Sequence, residues 1–426
     1  MTKLSLENIK SNINRNNFKV LKNFDQLMGD KHSQLFVNYP TNKKEKFIKF
    51  NIGHKPNTLY IHIPFCTGIC TYCAYVTKSA KIGDTKIDNY LDLLEKEFKL
   101  FNHMLGRLQI STAYIGGGTP TIMNLSQLNR LYKIIKKYFD ISKIEEFTLE
   151  GCPETMSEDK ISHGIDNGIN RISIGVESFN NNILARMNRR HTSKQSIKTI
   201  EQAKILGIPI DIDIIRCYPG YTEEMVLDDV NIIANIRPNS ITTYKYNLKP
   251  SSIDNKKNIP FLSETQVIEQ TLLYYEGLKL IGYNQHNIDW FVNDNDFFKH
   301  QIYKWKYDAN QIALGVGCYG YIGNTQYFTC KSMLDYKKKL DSNFLPIDYC
   351  QTLDSNELEI KNIMFALRDK VLIKNFSVDN QQKLKKIISA GLGYVKDDYF
   401  YLNQEGQLYI DQLQSYVGSD KDFCFF

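Results

Sequence analysis

The sequence predicts an α/β fold: a partial (β/α)6 barrel, preceded by a polar arm and followed by a helical C-terminal unit. Three observations predict it. Between Thr58 and about Pro250, short apolar runs alternate with helical-period segments, the pattern of βαβ units on a parallel sheet. Six such units can be counted, where eight would close a full barrel. A cysteine-rich loop follows the first apolar run and a glycine run follows the second. Reactive residue types therefore sit at strand C-terminal ends, where barrels keep their chemistry.

Taken in order, residues 1–57 are Lys/Asn-rich with weak helical patterns and read as an accessory arm. Residues 58–250 form the barrel. Leu59–Ile63 is its first strand, and Pro64 ends it because proline cannot donate to a ladder. Ile87–Leu105 has apolar residues at helical spacing. Thr112–Ile115 is a short strand running into Gly116-Gly117-Gly118-Thr119-Pro120, and Leu125–Tyr138 is a helix. Glu146–Glu150 and Arg171–Gly175 are strands; Ser193–Leu206 is a helix that Gly207 stops. Ile208–Ile215, helix Thr222–Ile236 and strand Ser240–Tyr246 complete the series. Residues 251–345 extend the barrel with a helix at Thr265–Leu280, an aromatic stretch at Trp290–Tyr307 and a glycine-punctuated turn at Ala313–Tyr321. Residues 346–426 return to Leu/Lys-rich helices and a hairpin, Gly393–Val395 with Tyr399–Leu402. The tail Asp422–Phe426 reads as a frayed terminus, with docking on the core as the alternative.

Composition narrows the class. The chain has 426 residues, 42% hydrophobic, with 53 basic and 47 acidic side chains for a net charge of +6. That excess is too small to argue for nucleic acid. The opening residues lack the apolar core of a signal peptide, and no apolar run is long enough to span a bilayer. Nine cysteines, an odd number, fit a reducing compartment and metal ligation better than a disulfide framework. The expectation is a soluble, cytoplasmic protein.

Cys66, Cys70 and Cys73 stand in C-x3-C-x2-C spacing on a loop whose Gly68 lets the backbone fold tightly. Three thiolates on one loop are soft-ligand chemistry, suited to iron–sulfur clusters, zinc or Cu(I). A structural zinc site wants four protein ligands, and no Cys or His follows within about twenty residues of Cys73. A [4Fe–4S] cubane on three thiolates would keep one iron free. Reduced core cysteines are the plainer reading of the same triplet.

The triplet with Tyr72 before its last cysteine, inside Tyr60-Ile-His-Ile-Pro-Phe-Cys66, resembles the signature of the radical S-adenosylmethionine (SAM) superfamily, and in particular the oxygen-independent coproporphyrinogen III dehydrogenase family. The resemblance covers most of the chain from about Thr58. It implies a partial radical-SAM barrel, a winged-helix-like C-terminal domain, a [4Fe–4S] cluster on Cys66, Cys70 and Cys73, and SAM chelated by the free iron. It also implies cleavage of SAM to methionine and a 5′-deoxyadenosyl radical. Gly117, Gly118 and Thr119 match the element that cradles the SAM amino group, and Glu150 a strand-end acid that contacts SAM. Tyr60, Tyr72 and Tyr319 are counted with the cofactor contacts, as is Glu177, which stands where the family has glutamine. Arg189 and Asp213 match positions facing a second SAM, so one or two SAM molecules are implied. Arg216 is placed to pair with an acidic substrate or with Glu177; Cys217 and Cys318 default to buried small hydrophobes, with lining the cavity as the alternative.

The resemblance fixes the cofactor better than the substrate. Tyr75 replaces the further cysteine of the coproporphyrinogen enzyme, and His286-Asn287-Ile288-Asp289-Trp290 is partly like a string of the heme-chaperone branch. The main expectation is a radical SAM oxidoreductase or methyltransferase acting on a tetrapyrrole or other aromatic acceptor, including aromatic natural products. It would work with an electron donor such as flavodoxin or ferredoxin. The alternative is a heme-binding chaperone with little or no turnover.

Overall fold

The computed structural model describes residues 4–15, 50–249, 251–257, 259, 262–287, 289–293 and 298–418. Most of the arm lies outside them, as does the tail Asp422–Phe426 with Cys424. Six parallel strands run side by side in chain order: β1 (Asn57–Ile63), β2 (Thr112–Gly117), β3 (Glu146–Gly151), β4 (Arg171–Glu177), β5 (Ile210–Arg216) and β6 (Ser240–Lys245). Helix α1 (Leu6–Arg15) precedes them. Helices α2 (Thr85–Leu105), α3 (Leu125–Tyr138), α4 (Glu158–Asp166), α5 (Ser193–Ile205) and α6 (Glu223–Ile236) connect them, and α7 (Glu264–Leu280) follows. Capping boxes start α3 (Asn124 with Gln127), α5 (Thr192 with Gln195) and α7 (Ser263 with Gln266), each satisfying two backbone donors.

The strands alternate along most of their length, and the alternation decides which face is which. Leu59, Ile61, Ala113, Ile115, Phe147, Leu149, Ile172, Ile174, Ile210, Ile212 and Ile214 are fully buried. They form the core beneath the connecting helices. The intervening positions are Tyr60, Tyr114, Thr148, Glu150, Ser173, Asp211, Asp213 and Thr242, polar residues that line the concave face. A parallel sheet covered on both faces reads as continuously apolar; this one does not, because one face encloses a polar lumen.

The segment after residue 250 supplies strands to both edges. Beyond β6, β7 (Asn284–Asn287) and β8 (Trp290–Val292) pair antiparallel, with Trp290 opposite Thr242. On the other side β9 (Asn310–Leu314) pairs parallel with β1, Asn57 against Asn310. Antiparallel strands β10 (Tyr319–Ile322), β11 (Thr325–Thr329) and β12 (Ile347–Thr352) continue that edge. The result is a twelve-stranded open sheet; among the described residues no ladder joins β12 to β7. The short run Asn310–Leu314 is easily merged with the glycine turn that follows it, which is why six strands were countable from sequence and these were not.

Helix α8 (Lys299–Lys306) closes the floor. The Glu146 carboxylate accepts the backbone N–H groups of Lys299 (2.7 Å) and His300 (3.3 Å), placing an acid at a helix N-terminus. Thr112 Oγ1 lies 3.0 Å from His300 Nδ1, and the Arg171 guanidinium stacks 4.2 Å from the centre of Phe298. Helix α9 (Met333–Asp341) packs on α2. The C-terminal unit has helices α10 (Ser355–Ala366) and α11 (Val378–Ser389) with a three-stranded sheet of β13 (Val371–Leu372), β14 (Gly393–Lys396) and β15 (Tyr399–Leu402). Asp397 and Asp398 turn its hairpin, both left-handed (φ 52° and 64°) as a two-residue type I′ turn needs. This is the winged-helix-like arrangement. In the arm, Ile9 of α1 is fully buried, and Lys10 reaches Glu223 at 2.6 Å. No helix among the described residues is long and apolar enough to cross a membrane.

Candidate functional site

The cysteine loop leaves the C-terminal end of β1 and is held at both sides. Phe65–Cys66 pairs with Lys78–Ser79, and Ala80 N–H donates to the Cys66 carbonyl at 2.9 Å. Thr71 N–H bonds the Met187 carbonyl (3.0 Å) and Asn188 Nδ2 the Ile69 carbonyl (2.7 Å), so the loop is tied to the end of the short helix Asn181–Arg186 that follows β4. Gly68 is not left-handed, so it does not supply the tight backbone fold expected of it; its missing side chain makes room for Arg190, whose Nε would lie 2.5 Å from a Cβ there. The three thiols are partly buried. Burial pushes the Cys66 thiol up to about 12, against the Thr119 hydroxyl that donates to its sulfur at 3.4 Å; burial pushes Cys73 up to about 11.

The glycine run ends β2 beside this loop. Its N–H groups are spent inside the protein: Gly118 donates to the Ile63 carbonyl and Thr119 to that of Phe65, both at 2.8 Å, and Gly117 donates to the Glu150 carboxylate. Carbonyl oxygens are what it has left to offer an ammonium group. Gly117 is left-handed (φ 109°), and a Cβ there would sit 2.5 Å from His62 Nδ1. His62 itself escaped sequence reasoning, although it lies inside the YIHIPFC string. Its Nε2 donates to the Val76 carbonyl (3.1 Å), which fixes Nδ1 as acceptor for the Tyr60 hydroxyl (3.2 Å). Burial lowers its pKa to about 4, so it is a neutral clamp between strand and loop.

Glu150, at the end of β3, is pushed up to about 7 by burial, opposed by hydrogen bonds from the Tyr114 hydroxyl and Gly117 N–H. Asp213 is raised well above the usual carboxylate range, first by burial and then by Asp211, Glu177 and Glu150; Ser173 Oγ donates to it at 3.0 Å. Its neighbour Asp211 is differently placed. It accepts from Ser240 (2.6 Å) and Thr242 (2.9 Å) and lies 3.4 Å from the Arg171 guanidinium. Glu150, Asp213 and Glu177 thus converge from three strands on one space. Tyr75 keeps 71% of its surface and Tyr244 49%, yet both lie in electrostatic range of Glu150 and Asp213. They border an open lumen whose upper part is acidic and can receive a cation.

The sequence-predicted residues are largely brought together here. Tyr72 hydrogen-bonds Glu177, and Glu177 Oε1 lies 3.5 Å from Arg189 Nη1. Tyr60 stacks on Tyr114, ring centres 6.2 Å apart. Tyr319 shares the lumen face, since Tyr60 pairs with Ala313 and β10 runs alongside. Its side chain is occupied elsewhere, with Gln326 Oε1 at 3.0 Å and the ring of Phe328. Arg216 pairs with neither a lumen acid nor Glu177. Its Nη2 meets Asp289 Oδ1 at 3.1 Å and its Nη1 the Thr243 carbonyl at 2.9 Å, because the loop between β7 and β8 supplies a carboxylate at that edge. Cys217 and Cys318 are buried thiols on the carbonyls of Val267 (3.5 Å) and Gly315 (3.0 Å), packed rather than open to the lumen.

The donor set suits a thiolate-held cluster. No three described His, Cys, Asp or Glu side chains converge on one ion position, whereas cubane thiolates bind separate irons and need no common point. Thr119 on Cys66 and Arg189, with Nη1 3.6 Å from Cys70 Sγ, are the donors to sulfur that such a cluster uses. Loading the raised thiols must release protons.

Comparison with known proteins agrees with this chemistry. Residues 60–233 match the family profile of the Radical SAM superfamily. The heme chaperone HemW of Lactococcus lactis subsp. lactis is 34% identical over 278 residues, 64% of this chain and 72% of that protein. The oxygen-independent coproporphyrinogen III oxidase of Escherichia coli is 25% identical over 305 residues, 67% of this chain and 66% of its own length. The solved structure of coproporphyrinogen III oxidase (HemN) from Escherichia coli, described as a radical SAM enzyme, shares the fold. Its TM-score is 0.76 over 86% of this chain and 91% of that one, at 22% identity.

Proposed function

The chain belongs to the radical SAM superfamily, in its oxygen-independent coproporphyrinogen III dehydrogenase-like family, and from that premise we propose that it is a heme-binding chaperone that retains the cluster and SAM. Membership carries with it a [4Fe–4S] cluster and SAM as cofactors. The observation that carries the chaperone reading is Tyr75. It stands where the coproporphyrinogen enzyme has a further cysteine, and its ring opens onto the lumen beside Cys73 and Glu150. The identity to a named heme chaperone supports the same reading.

The chemistry that a bound cluster and SAM supply is reductive cleavage to methionine and a 5′-deoxyadenosyl radical. This chain's residues do the rest. Cys66, Cys70 and Cys73 hold the iron. Glu150 and the carbonyls of Gly117 and Gly118 receive the SAM ammonium, and Thr119 and Arg189 donate toward the cluster sulfurs. The tyrosines of the lumen wall off water around an aromatic ligand.

A second reading is a radical oxidoreductase or methyltransferase acting on a tetrapyrrole or other aromatic acceptor, with flavodoxin or ferredoxin as electron donor. What favours it is the complete acid set of Glu150, Glu177 and Asp213, more than a static heme carrier needs. Anaerobic incubation of the reconstituted protein with SAM and dithionite, alongside a hemin titration, separates the two. Stoichiometric hemin binding with negligible 5′-deoxyadenosine release is expected. Sustained release over many turnovers without hemin binding overturns the chaperone reading in favour of the enzyme.

A further inference from the structure

We propose that Lys304 anchors a carboxylate of the molecule bound in the lumen, at the floor of the open barrel. This deepens the tetrapyrrole reading and rests on it.

The sheet's pleat puts Tyr319, whose ring Lys304 approaches, on the same face as the site above. Tyr60 pairs with Ala313 on β9, and Gln311, two residues earlier, faces the same way. Gln311 pairs with Tyr321, so Tyr321 and Tyr319 continue this face. One concave surface therefore runs from Tyr114 and Tyr60, past the small side chain of Ala313, to Tyr319. Helix α8 lies across it, and the Lys304 ammonium stands 5.8 Å from the ring centre of Tyr319 and 5.6 Å from that of Phe365 on α10.

Its charge has no counterpart. Lys304 makes no salt bridge or hydrogen bond among the described residues, while the cations around it are all provided for. Lys361 holds Asp308 at 2.6 Å, and Arg368 lies 3.6 Å from Asp289 and 4.0 Å from Asp411. The charged groups that act on Lys304 are Arg368 and Lys361, both of its own sign. A partly buried cation costs stability unless it is paired. Here the fold supplies aromatic walls (Tyr319, Phe365 and Trp305, over which Arg368 stacks) and leaves out the acid. Loss of water, then Arg368 and Lys361, lowers the Lys304 ammonium to about 8, so at neutral pH it is still largely charged and readily stabilised by an anion. Aromatic walls with one convergent cation suit a flat ring system bearing an alkyl carboxylate, which the propionates of a tetrapyrrole provide.

Hemin and hemin dimethyl ester test this on the full chain, since the ester keeps the ring and removes the charge. Lys304→Met is expected to weaken hemin binding tenfold or more and leave the ester unchanged; Lys304→Arg should restore most of the hemin affinity. Equal effects on both ligands, or none on either, overturn the anchor while leaving the tetrapyrrole reading in place. A wild type that binds neither ligand overturns the tetrapyrrole reading, and the anchor with it. Because Lys304→Met removes an unpaired charge, the variant should melt no lower than wild type without ligand, so lost binding cannot be ascribed to misfolding.

Discussion

Glu177 and Arg189 form an ion pair whose arginine also faces a cluster ligand: Nη1 lies 3.5 Å from Glu177 Oε1 and 3.6 Å from Cys70 Sγ. The β4–β5 register shifts between Gly175 and Glu177, and Glu177 is left-handed at φ 66°. Such a bulge re-aims the side chain that follows it, here toward the cysteine loop. The second nitrogen of Arg189 donates to the Gly175 carbonyl, so the guanidinium is pinned on both sides. The Glu177 carboxylate is therefore matched by a positive charge in place.

The pair should set the cluster's reduction potential, since N–H groups and positive charge beside a thiolate ligand favour the reduced form. Arg189→Ala should lower the midpoint potential and Glu177→Gln raise it, read by anaerobic EPR-monitored redox titration. Shifts of the same sign in both variants would refute this role, because a merely structural disturbance has no reason to reverse direction.

Iron content checks the loop directly. Wild-type protein prepared without oxygen should bind about four irons per chain, as one cubane requires. Cys66→Ala, Cys70→Ala and Cys73→Ala should each lose most of it. Full iron in a triple variant would assign the metal elsewhere.

SAM binding should depend on Glu150 without the cluster being lost, and on Gly117, whose neighbour His62 also clamps the cysteine loop. Glu150→Gln removes a charge-assisted acceptor, worth roughly 1.5–3 kcal/mol, so affinity should fall by about tenfold or more. Gly117→Val adds a branched side chain at φ 109°, where even a Cβ meets His62 at 2.5 Å. Calorimetry under nitrogen that finds wild-type affinity in both variants would mean that SAM binds elsewhere.

Asp213 offers the test for a second SAM. Equilibrium dialysis with labelled SAM is expected to give two molecules per chain in wild type and one in Asp213→Asn. A value of one in wild type removes the second site, and Arg189, already engaged by Glu177 and Gly175, would be the reason.

A buried acid on α2, outside the acid set of the lumen, should contribute to the pH dependence of folding. Glu97 on α2 is fully buried, and its Oε2 accepts from Gly315 N–H (2.7 Å) and the Tyr336 hydroxyl (2.5 Å). Burial raises it to about 8, against those two hydrogen bonds. Between the ordinary glutamate value and about 8 the native state holds a proton that the unfolded chain has lost, so stability falls as pH rises through that window. The loss is on the order of 5 kcal/mol. Denaturant unfolding at pH 5, 7 and 9 should show the decline in wild type and a shallower one in Glu97→Gln, with Glu150 and Asp213 supplying the remainder; identical profiles would place the titration elsewhere.

The sequence by itself determined the parallel units, the cysteine loop and the acid at the end of β3. Each rests on a local pattern: alternation in Arg171–Glu177 and Ile210–Arg216, a fixed cysteine spacing, a glycine run at a strand end. The same alternation already carries the polar lumen, because every second residue of a strand faces one way. Only the tertiary structure decided what those side chains meet. Arg216 finds Asp289, 73 residues away in sequence, and not Glu177. Strand β9 closes onto β1 across more than two hundred residues. Burial and the carboxylates around it raise Asp213 well above the usual carboxylate range, while Asp211, two positions earlier, is paired with Arg171. Periodicity assigns a residue to a face, but protonation and pairing depend on charges and solvent within a few ångströms, and those neighbours come from distant parts of the chain.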